Sequence, residues 1–87
     1  MMHAPDEDIT ALEKLAAELA ARGLQARLMT PDDRLPSLTV TNPQAAMLDE
    51  TVITSAEWFW WSWGDRIAAV ADVAAAAEAV ARVLGTS

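Results

Sequence analysis

Trp58-Phe59-Trp60-Trp61-Ser62-Trp63-Gly64-Asp65-Arg66-Ile67 holds all four tryptophans and the one phenylalanine of an 87-residue chain, and its reading decides the fold. Gly64-Asp65 is a dipeptide suited to a two-residue hairpin turn of type II′ or I′. Such a turn pairs Trp63 with Arg66, Ser62 with Ile67 and Trp61 with Ala68, so that 57–63 and 66–69 form two arms of a hairpin. Neighbours in an extended strand alternate faces. Trp58, Trp60 and Ser62 therefore share one side, and Phe59, Trp61 and Trp63 the other. Because Ile67 stands opposite Ser62, the Trp58/Trp60 side is the expected core side. The outer side then presents Phe59, Trp61 and Trp63, with Arg66 across from Trp63 and able to stack on its indole.

Upstream, Leu24, Ala26 and Leu28 alternate with Gln25, Arg27 and Met29, the pattern of a half-buried strand over 24–30. Pro31-Asp32-Asp33 supplies a turn. A second strand follows over 35–41, where Leu38 and Val40 point one way and Thr39 and Thr41 the other. Asn42-Pro43 reads as a cap followed by Pro, consistent with a single helical turn over 43–48. Thr51-Val52-Ile53-Thr54 reads as a further strand.

Helices flank these strands. Residues 1–5 read as a loose tail, with Pro5 and Asp6-Glu7-Asp8 at the start of a helix over 6–22. Ile9, Leu12, Leu15, Ala16 and Leu19 recur at helical spacing. Gly23 is the expected left-handed stop, with Leu24 packing back on Leu19. Asp72 caps a last helix over 73–84, whose apolar face is Val73, Ala76, Ala77, Val80 and Leu84, and Gly85 ends it. The expected architecture is a single two-layer α+β domain spanning 1–87: helix, three or four antiparallel strands, helix, with both helices on one face of the sheet.

Composition excludes several functions. Of the hydrophobic residues nineteen are Ala and eighteen are Ile, Leu or Val, enough for one thin core. A net charge of −7 disfavours nucleic-acid backbones and anionic membranes. The absence of cysteine removes disulfides, zinc-thiolate sites and thiol catalysis, and the polar N-terminus is unlike a signal peptide; a cytoplasmic location is expected. His3 lies in the tail, without the positioning a general base needs. Ser62 has no histidine or lysine to activate it, and no cofactor or metal motif is present. No enzymatic activity and no cofactor are expected.

Attention therefore falls on Phe59, Trp61, Trp63 and Arg66 as a candidate binding set. Three large rings on an uncovered sheet face make a patch of the kind that marks interaction sites. Three readings stay open: the rings are covered within the fold, they bind a second copy or another protein, or they line a small-molecule pocket.

Two resemblances accompany this reading. The helix–strands–helix order with an Ala-rich last helix is similar to the double-stranded RNA-binding domain. That family binds RNA with lysines at the start of the last helix, where this chain has Ala71-Asp72-Val73-Ala74, so the resemblance implies the fold order and not RNA binding. The chain also resembles a group of small actinobacterial proteins through Leu35-Pro36, Thr41-Asn42-Pro43 and the segment from Trp58 to Ile67. That group carries no assigned activity and tends to occur near helix-turn-helix regulators, which implies a regulatory accessory role by association.

Overall fold

A computed structural model describes residues 5–30, 36–44 and 49–84, with side chains described from Asp8 onward. Residues 1–4 of the expected 1–5 tail, the Pro31-Asp32-Asp33 turn, residues 45–48 of the expected helical turn and the Gly85 stop lie outside the described residues, while Pro5 already belongs to the first helix.

Periodicity becomes structure most directly in the first helix, α1 (Pro5–Ala21). Its stripe of Ala11, Leu12, Leu15 and Leu19 is buried, while Glu13, Lys14 and Glu18 face solvent. The helix ends in a Schellman arrangement: the Leu24 N–H donates to the Leu19 carbonyl at 3.0 Å and the Gly23 N–H to the Ala20 carbonyl at 3.1 Å. Gly23 sits at φ +86°, a conformation in which a side chain would be strained. Leu24 is thereby turned into the core.

Five strands follow: β1 (Gln25–Met29), β2 (Ser37–Thr41), β3 (Asp49–Ser55), β4 (Trp58–Trp61) and β5 (Arg66–Ala69). They form one antiparallel sheet in sequential order. The count exceeds the three or four expected because both arms of the tryptophan hairpin stand as full strands. The last helix, α2 (Val73–Val83), starts at Asp72, whose carboxylate accepts from the Ala75 N–H at 3.2 Å. It buries Ala76, Ala77, Val80 and Ala81. Both helices pack on one face of the sheet and against each other, giving the two-layer α+β architecture.

Register shows which side chains reach that core. Leu28, Leu38, Val52 and Trp61 stand opposite one another across four strands and make one inward row, and Thr54, Phe59 and Ala68 make another. Phe59 is fully buried and Trp61 is 5% exposed. The two rings supply the bulk that a core rich in alanine lacks.

One further tie joins the layers. Asn42, at the end of β2, is buried; its side-chain amide donates to the Leu84 carbonyl at 2.7 Å, and its oxygen accepts from the Gln44 N–H at 2.9 Å. The first bond satisfies a carbonyl left open at the C-terminus of α2. The second closes an Asx turn over Pro43.

Candidate interaction face

The inward rows leave an outward set. Met29, Ser37, Ile53, Trp60 and Arg66 form one row across all five strands. Arg27, Thr39 and Thr51 form the next, and Gln25, Thr41 and Asp49 the last. Trp58 stands beside the first row, opposite Ser55 and Ala69. No described helix packs on this face.

This inverts the sequence expectation for the tryptophans. Phe59 and Trp61, expected outside, are the inward pair; Trp58 and Trp60, expected inside, lie on the outer face and are half-buried. The reason lies in the two turns that bound β4. The β3–β4 connection is a two-residue loop, Ala56-Glu57, with both residues at positive φ (53° and 66°), the signature of a type I′ turn. It pairs Ser55 with Trp58 and thereby Val52 with Trp61. The β4–β5 connection is not the two-residue turn that Gly64-Asp65 suggests. Gly64 N–H donates to the Trp61 carbonyl at 2.9 Å and Trp61 N–H to the Asp65 carbonyl at 2.8 Å, so the loop runs over Ser62–Asp65.

Trp60 consequently pairs with Arg66, and the register slips between Phe59 and Trp60. Ile67 is left as the extra residue of a bulge. Ile67 and Ala68 both pack against the core, so Ile67 cannot report which face of β4 is inward.

The indole N–H groups of Trp60 and Trp63 are satisfied locally. Trp60 Nε1–H donates to the Ser55 carbonyl at 2.9 Å. The Arg66 guanidinium lies 4.2 Å from the centre of the Trp58 ring, not on Trp63 as the two-residue turn implies. Trp63 is 52% exposed, stacks on Trp61 with centroids 4.9 Å apart and planes 6° from parallel, and donates through Nε1 to Asp65 at 2.9 Å. It is a cover on the edge of the core. Of the expected set, Arg66 therefore lies on the outer face and Trp63 at the hairpin tip, while Phe59 and Trp61 are core.

Two concavities adjoin the outer face. A depression of about 480 Å³ lies over β1 and β2, lined by Arg27, Met29, Thr39, Thr41 and Asp49 among others. A cleft of about 410 Å³ opens where α1 meets the end of β4 and β5, lined by Asp8, Ala11, Glu57, Trp58 and the segment from Ala69 to Ala71. Among the described residues no group of three or more His, Asp or Glu side chains stands close enough to hold a metal ion, and no helix is long and apolar enough to cross a membrane.

The sequence reading missed Trp58, Trp60 and Ile53 as surface groups. No local signal marks them: Met29 is outward in the alternation of β1, but only the register of the assembled sheet places Ile53 and Trp60 beside it.

Comparison of this chain with protein-family models, with curated proteins and with solved structures finds no match.

Proposed function

We propose that this protein is a non-enzymatic docking module that acts in the cytoplasm and binds protein through its uncovered sheet face. One observation carries the reading: Met29, Ile53, Trp60 and the Arg66–Trp58 stack stand together on a face that no described element covers. Rigid aromatic groups and arginine in the centre of a surface are the residues that anchor protein interfaces, because each buries a large area at a small cost in side-chain entropy. Thr39, Thr41 and Thr51 supply a polar border. Phe59 and Trp61 hold the platform from beneath, and Trp63 covers Trp61 at the edge of the core.

Photo-crosslinking in the native host tests this. A photoreactive residue at Thr39 on the sheet face is compared with one at Glu18 on the helix face. Discrete protein adducts from Thr39 alone support the reading. Silence at Thr39, or the same adducts from both positions, overturns it.

The 410 Å³ cleft favours a second reading, a small-molecule site beside Trp58. Glu57 on its wall and the Trp58 ring beside it suit a ligand with an amine and an apolar body. Saturable quenching of tryptophan fluorescence by one member of an amine panel, abolished by Trp58→Leu, would support it.

A further inference from the structure

The outer sheet face carries a charge pattern that fits itself. Its described charged groups are Arg27 on β1, Asp49 at the start of β3 and Arg66 on β5. Arg27 and Asp49 border the same depression, and both are exposed. On a sheet with ~4.8 Å between strands and ~3.4 Å rise per residue their Cα atoms stand roughly 12 Å apart, and the two side chains form no ion pair within the chain.

A two-fold axis lying in the face and bisecting the line between them exchanges the two positions. Each Arg27 then meets the Asp49 of the other copy, twice over. On the same lattice that axis continues between Ile53 and Trp60, so the apolar groups of the face fall at the centre of the contact and the ion pairs at its border. The operation lays Arg66 over the other copy's Ser55, next to Glu57. The strands of the two sheets cross at about 70°, near the orthogonal class of sheet packing.

The area falls at the low end for a specific interface. Five strands of five residues give a face of roughly 400 Å² in flat outline, or about 800 Å² for two copies. Side chains standing from the sheet raise the accessible area toward the ~1,200 Å² at which specific interfaces begin. Edge pairing of β1 is the poorer geometry, because symmetric pairing about its middle residue sets Arg27 against Arg27.

Resting on the docking reading above, we infer that the occupant of this face is a second copy of the same chain, with Ile53 and Trp60 at the centre and reciprocal Arg27–Asp49 pairs at the border.

Sedimentation velocity and light scattering on the full chain test this, using the wild type, Arg27→Glu, Asp49→Arg, the double exchange, and Ile53→Arg. The expected result is a dimer. Each single charge reversal should weaken it at least about tenfold, the double exchange should restore it to within about threefold of wild type, and Ile53→Arg should give a folded monomer by circular dichroism. Restoration by the double exchange cannot come from a fold defect. A wild type that stays monomeric at its highest soluble concentration overturns the inference, and so does a dimer indifferent to both charge reversals. If that monomer still yields adducts with another protein from Thr39, the self-association fails while the docking reading stands. If it yields none, both fail.

Discussion

Trp60 and Trp61 are consecutive residues with opposite duties, and truncating each to alanine should separate them. Trp61 is 5% exposed, stands opposite Val52 and stacks against Trp63. An aromatic side chain buries roughly 150–250 Å², which at ~25 cal/mol per Å² gives about 4–6 kcal/mol. That figure is an upper one, because the unfolded chain already shields part of the ring. Cavity-forming truncations of large aromatics cost about 3–5 kcal/mol, so Trp61→Ala should cost about 4 kcal/mol. Trp60 is half-buried, and its indole bond to the Ser55 carbonyl is solvent-exposed, so Trp60→Ala should cost about 1 kcal/mol. In urea, with a slope of about 1–1.5 kcal/mol per molar for a small domain, the midpoints should differ by roughly 2–3 M. The assay is urea unfolding of dilute protein followed by far-ultraviolet circular dichroism, with Trp61→Phe as the milder comparison if the alanine variant has no folded baseline. Equal losses at the two positions, or a larger loss at Trp60, would refute the assignment of faces and with it the identity of the docking surface.

Other residues give equally direct tests. Asn42→Ala removes both bonds of a buried side chain and should cost about 2–3 kcal/mol by chemical denaturation. Asn42→Asp should cost at least as much at neutral pH, because a carboxylate would face the Leu84 carbonyl at the negative end of α2. That penalty exists only in the folded state, so the new carboxyl's folded pKa lies above its unfolded one; stability should recover as pH falls and be lost as pH rises through the carboxylate range. Replacing Ala56-Glu57 by Asn-Gly relieves two residues held at positive φ and should stabilise the fold by about 1 kcal/mol after the entropy that glycine adds to the unfolded chain, read as a higher urea midpoint. Asp72→Ala removes the cap of α2 and should cost about 1 kcal/mol, seen as earlier amide exchange in its first turn.

Both helices were legible because each carries its whole signal locally. The stripe of α1, the Gly23–Leu24 ending and the Asp72 cap depend on residues within one or two turns. The faces of β1 and β2 were legible for the same reason, since apolar and polar residues alternate cleanly there. Asn42-Pro43 signals a local side-chain bond, but the reach of Asn42 to Leu84, 42 positions away, has no local trace.

The tryptophan segment marks the boundary between what sequence and tertiary structure decide. By itself the sequence determined that aromatic mass is concentrated in one strand, and that alternation divides it between a core face and a free one. Four of its six residues are tryptophan and a fifth is phenylalanine, so hydrophobicity cannot choose the face. β3 does not help, for it sets Ile53 outward and Thr54 inward. The choice belonged to register. Ala56-Glu57 forms a type I′ turn without the Asn or Gly that announces one, and the bulge at Ile67 breaks the parity that a two-residue turn at Gly64-Asp65 would transmit. A slip of one residue in a strand reverses every side chain in it. Only the assembled sheet, with Trp61 locked beside Val52 and Leu38 under the helices, decided that Trp60 faces out.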